Sequence, residues 1–136
     1  MHITSISTND SVPIPVETGF EEPTIAAIRA EIRRLDQAAH SSVILSAGEE
    51  EHLCVGGGSG QYLVYFTPDN LRFWNLINRG STRGKTTITV GGQEGEYAGR
   101  QLVSLQQAIA AAVTYARLGQ MDAELSWEEQ TYPIMP

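Results

Sequence analysis

The 136-residue chain has one cysteine, one lysine and no apolar run of membrane-spanning length. A single thiol, Cys54, excludes a disulfide within the chain. Lys85 is the sole lysine; sixteen acidic residues outnumber nine basic ones and leave a formal net charge of −7. That balance repels a phosphate backbone or an anionic bilayer, so neither nucleic acid nor membrane is expected as a direct partner. A bilayer-crossing helix needs about 20 predominantly apolar residues, and no such stretch is present. The start, MHITSISTNDSVP, has neither the positive charge nor the apolar run of a secretion signal, which makes the cytoplasm the expected compartment. Internal repeats of solenoid period are also missing.

Hydrophobic residues at 41% and charged residues at 18% are ordinary for a globular chain. A domain of this length buries roughly 70% of its unfolded surface, so residues 1–136 are expected to fold as one domain. Residues 2–7 alternate enough for a first strand, and the Pro13, Pro15 and Gly19 region reads as a connector. PTIAAIRAEIRRLDQA predicts a helix, with Pro23 in the first position and Ile25, Ile28, Ile32 and Leu35 on one stripe. Four strand-like runs follow, at residues 43–45, 62–67, 71–77 and 86–90, all rich in β-branched or aromatic residues. Thr67-Pro68-Asp69-Asn70 places proline where a type I turn takes it, and Gly91-Gly92 interrupts the last run. Short joints between consecutive strands predict an antiparallel meander.

A second helix is marked more fully. Ser104 and Gln107 have capping-box spacing, Leu105, Ala108, Ile109, Ala112, Val113 and Ala116 form its apolar stripe, and Gly119 sits at its end. Residues 124–128 then alternate as a half-buried strand suited to a sheet edge. The resulting fold class is α+β: an antiparallel β-meander sheet, two helices packed on one face, and a final C-terminal strand.

Several stretches invite chemical readings. GSTRGKT, residues 80–86, resembles a P-loop, but three residues rather than four separate Gly80 from Gly84, and a β-branched strand follows where a phosphate-facing helix is required. GEEEHLCVGGGSG, residues 48–60, matches neither a dinucleotide fingerprint nor a nucleophile elbow, and reads as a glycine-rich turn with a negative rim. Cys54 follows three glutamates that disfavour its thiolate, so a buried structural role is expected over a nucleophilic one. His2, His40 and His52 lack zinc-ligand spacing, and adjacent acids such as Glu49 to Glu51 are usually a solvated turn. No catalytic residue, cofactor or metal site is expected. Phe73 and Trp74 point to opposite faces of their strand, so one of them can face outward as an anchor.

The C-terminal third, LVSLQQAIAAAVTYARLGQMDAELSWEEQ, preceded by YLVYFTPDNLRFW and a glycine turn near Gly91, resembles the first of the numbered immunity-protein families of bacterial polymorphic toxin systems. That group contains the inhibitor of a double-stranded-DNA cytosine deaminase toxin. The likeness rests on Val103 and Ser104 before an alanine-rich helix, Gly119 after it, and Leu125, Trp127 and Glu128 in a last strand. It covers residues 43–129, with 1–22 as a variable N-terminal strand and connector. Where members often carry proline before the last strand, this chain has Met121-Asp122.

The resemblance implies a non-enzymatic inhibitor of a cognate secreted toxin, a deaminase acting on nucleic acid, bound as a monomer in a 1:1 complex. Its acidity suits a plug for a basic substrate cleft. Glu49, Glu50, Glu51, Glu94 and Glu96, with Trp74 as anchor, are the expected partner-binding residues. The competing expectations are an acidic secretion-system chaperone or adaptor, and a small-molecule enzyme using Cys54 or His52.

Overall fold

A computed structural model describes residues 1–9, 14–16, 21–81 and 84–130. Its strands are β1 (Ser5–Thr8), β2 (Ile14–Pro15), β3 (Ser42–Ser46), β4 (His52–Gly58), β5 (Gln61–Thr67), β6 (Phe73–Ile77), β7 (Thr86–Val90), β8 (Gln93–Tyr97) and β9 (Ser126–Gln130), and its helices are α1 (Glu21–Arg33) and α2 (Leu105–Leu118). Seven strands form one sheet in the order β2-β1-β3-β4-β5-β6-β9, and β7 with β8 makes a separate hairpin. Every pairing is antiparallel.

Period-two alternation decides which side chains meet the helices. Val43, Leu45, Leu53, Val55, Val64, Phe66 and Leu76 share a core with Ile25, Ile28 and Ile32 of α1 and Ala108, Ala111, Ala112 and Ala116 of α2. Both helices thus cover the same face, and the fold is the expected α+β arrangement. The alanines keep α2 thin, and this lets it lie close to α1 and to the sheet. Its ends follow the sequence signals. The Ser104 hydroxyl accepts the Gln107 amide at 3.1 Å, the Gln107 side chain accepts the Ser104 amide at 3.0 Å, and Gly119 closes the helix in a left-handed conformation.

The chain departs from expectation in several ways. His52–Gly58 is a central strand rather than part of a turn, because its glycines answer to close packing. A Cβ on Gly56 would enter the Val90 side chain, and one on Gly58 would strike the backbone of Leu35 and Asp36. Only Ser59 and Gly60 remain as the turn, between the paired Gly58 and Gln61. Next, residues 86–90 leave the sheet and pair with Gln93–Tyr97, an acidic strand that carries no β-branched signal.

The third difference lies at β6, which begins at Phe73 rather than Leu71. The Asp69 carboxylate accepts the amides of Leu71 and Arg72, each at 2.9 Å, and this prolongs the turn and leaves Leu71 79% exposed. Lastly, α1 stops at Arg33. Asp36 accepts the amides of Ala38 and His40 instead of continuing the helix, while Leu35 still enters the core. At the far edge β9 runs from Ser126 to Gln130, two residues later than the expected strand. Of the connector expected around Pro13, Pro15 and Gly19, Pro15 instead lies in β2, paired with Ser5, while Pro13 and Gly19, like Thr82 and Arg83 of the P-loop-like stretch, lie outside the described residues; Thr86 opens a strand.

Candidate functional site

The face of the sheet away from the helices carries the alternate residues Cys54, Leu63, Tyr65, Phe73 and Asn75. Part of it is roofed by the β7–β8 hairpin, where Ile88 is buried with Leu63 and Leu102 against Val90 and Tyr97. The hairpin tip is pinned by Ser41: its carbonyl accepts the Gly91 amide at 3.2 Å and its hydroxyl accepts the Gly92 amide at 2.8 Å. Between hairpin and sheet an open groove of about 280 Å³ remains, lined by Tyr65, Phe73, Asn75, Tyr97 and Gln130 with Leu63 and Val90. Buried Asn75 forms its polar floor, bonded to the Val64 carbonyl and to the Gln130 amide.

One rim of this face is an aromatic chain. His52 and Phe73 each meet the Tyr65 ring edge-on, with centroids 5.5 and 5.7 Å away. His52 Nδ1 lies 2.9 Å from the Glu50 carbonyl and Nε2 lies 3.0 Å from the Tyr65 hydroxyl. The carbonyl can only accept, so Nδ1 donates to it, and Nε2 shares the second hydrogen bond with the Tyr65 hydroxyl. Both ring nitrogens are thereby engaged, one with the β3–β4 turn and the other with β5. The thiol itself is buried, and desolvation pushes it up to about 12, with the neighbouring Tyr65 hydroxyl pulling the other way. Burial, rather than the preceding glutamates, keeps Cys54 protonated and inert at neutral pH. Among the described residues no three of His, Cys, Asp or Glu converge to hold a metal ion. No described helix is long and apolar enough to cross a membrane.

The expected partner-binding residues fall into two groups. Glu49 and Glu50 are exposed in the turn after β3, at one end of that strand. Glu51 beside them is engaged: its carboxylate accepts the Tyr115 hydroxyl at 2.8 Å and pairs with His2. Desolvation first, then this carboxylate, raises the Tyr115 hydroxyl well above the usual phenol range. Trp74 lies on the helix side at the same end, half-buried against Phe66, with the Arg72 guanidinium 5.6 Å from its ring centre. Its neighbour Phe73 is the one that faces the groove. Glu94 and Glu96 are exposed on β8, whose tip sits at the opposite end of β3, on Ser41.

Sequence reasoning had not singled out Tyr65, Tyr97, Asn75 or Gln130. For Tyr65 a signal was present, since in QYLVYFT it shares the phase of Leu63 and opposes Val64 and Phe66. Tyr97 gave none, because its strand was not recognisable. Glu128 adds no free charge to the face, being paired with Arg100 at 2.9 Å.

Fold and face together define an α+β fold whose described residues present a groove on the open sheet face and exposed acids at both ends of β3. A family model described as Immunity protein Imm1 matches residues 17–129, and the chain belongs to that family. The match includes α1 as well as the stretch from 43 to 129. No curated protein matches the chain.

Proposed function

We propose that this protein protects its producer by binding a cognate secreted toxin that deaminates nucleic acid, and that it does so in the cytoplasm as a monomer in a 1:1 complex, without catalysis. The family match over residues 17–129 carries the reading as far as toxin immunity. The deaminase target rests on the sequence resemblance and on charge. A toxin that works on nucleic acid must present a basic channel to phosphates, and a domain of net charge −7 is drawn to such a channel.

Inhibition then follows from occupation of the cleft. A stable interface of about 800 Å² on each partner needs only a few anchors. Glu49, Glu50, Glu51, Glu94 and Glu96, with Trp74, remain the proposed contacts. Since Glu51 is already paired, its part is to hold the turn that presents Glu49 and Glu50.

The test is co-expression with the toxin domain encoded immediately upstream. Survival, a 1:1 complex on gel filtration and nucleic acid that keeps its bases undeaminated are the expected results. Continued killing with no complex would overturn the immunity reading, whereas protection against a toxin with no deaminase activity would overturn the target alone. Binding as a dimer to an unfolded segment would point to a chaperone instead.

A further inference from the structure

The two edges of the β7–β8 hairpin are not alike. In an antiparallel pair, residues alternate between those whose amides and carbonyls point across the ladder and those that point outward. Thr89 points outward, because its amide donates to the Gln37 side chain at 3.2 Å. Gln37 also donates to the Gly58 carbonyl at 2.9 Å, so this glutamine closes the β7 edge against the end of β4. Thr89 is the register partner of Glu94, and Thr87 that of Glu96. Glu94 and Glu96 must therefore direct their own amides and carbonyls outward on the β8 side. Among the described residues no hydrogen bond reaches them there.

We infer that the outward edge of β8 at Glu94 and Glu96 accepts an extended segment of the cognate toxin domain as a third strand, with basic residues at alternate positions and apolar ones between. This rests on the toxin-binding reading above. Charge selects the occupant. The Glu94 and Glu96 side chains share the outer face of the hairpin with Thr87 and Thr89, whereas Ile88, Val90 and Tyr97 face inward. Lysines or arginines on an added strand would lie directly across from the two glutamates, within cross-strand pairing distance. A second copy of this chain would bring glutamate against glutamate, so the same edge rejects self-association.

The inward side chains of the added strand meet the groove lined by Tyr65, Phe73, Asn75, Tyr97 and Gln130. Main-chain bonding gives such an addition its affinity, and the groove and the two carboxylates give it selectivity.

Amide exchange read by NMR on the whole protein, alone and with the upstream-encoded toxin domain, tests this. The Glu94 and Glu96 amides should exchange rapidly in the free protein and about a hundredfold more slowly in the complex. A complex in which they stay unprotected, or in which protection appears at Trp127–Gln130 instead, would overturn the β8 edge and leave the immunity reading standing. Absence of any complex would overturn both. Glu96→Pro removes one outward donor and no β7 bond, so it should weaken binding about tenfold or more while the far-ultraviolet spectrum is unchanged. Should that variant unfold, the exchange measurement on the wild-type protein decides.

Discussion

Single residues here are separated by what they touch rather than by type. Glu49, Glu50 and Glu51 are adjacent in sequence, yet only Glu51 reaches the fully buried Tyr115. Glu51→Ala leaves that hydroxyl without its acceptor and should cost about 1–3 kcal/mol in urea denaturation, while Glu49→Ala and Glu50→Ala should each stay within about 0.5 kcal/mol. Cys54 offers a test by pH. Its thiol ionises near 9.0 when unfolded and near 12 when folded, so across that interval the unfolded chain holds fewer protons and stability falls as pH rises. Below the lower value the contribution is intact. Between about pH 8 and pH 10 the wild-type protein should lose about 1.4 kcal/mol more than Cys54→Ala, a difference that a pair of denaturation curves at each pH would reveal. The run of three acids looks uniform in sequence and hides the first distinction, whereas the burial of Cys54 was legible there and only its cause, desolvation beside Tyr65 of β5 rather than the preceding glutamates, was not.

Elements were legible to the extent that their determinants were local. The whole of α2 could be drawn from sequence, since its cap, stripe and terminator sit within its own residues. β4 could not be, because its glycines are selected by partners far along the chain. Gly56 lies beneath Val90, and Gly58 lies against Leu35 at φ +133°. The two should therefore respond differently to alanine. Gly58→Ala meets backbone in a disfavoured conformation and should cost more than about 2 kcal/mol with no simple rescue. Gly56→Ala collides only with a side chain, so combining it with Val90→Ala should recover stability in a double-mutant cycle, with a coupling of about 1 kcal/mol or more. Additive losses would show that hairpin and sheet are not packed as described. β8 was invisible for another reason: QEGEY buries little, and its pairing is supplied by the Gly91-Gly92 turn and by β7.

For the whole molecule, the fold class was readable because helix and strand periodicities differ, while the groove was not, because it exists only where a hairpin leaves the sheet. The acidic surplus acts at this scale too. If net charge guides the complex, its association rate constant should fall about tenfold or more between roughly 50 and 500 mM salt, with a much smaller change in dissociation, measurable by stopped flow. One further consequence lies in the strand order. β9 pairs with β6, although most of the helical and hairpin chain is made between them. At about 5–20 residues per second, a growing polypeptide shows β6 as a bare seam for several seconds before the ribosome releases its cover. A premature stop codon ahead of Ser126 would make that seam permanent, and aggregates rather than a weaker protector would be the product.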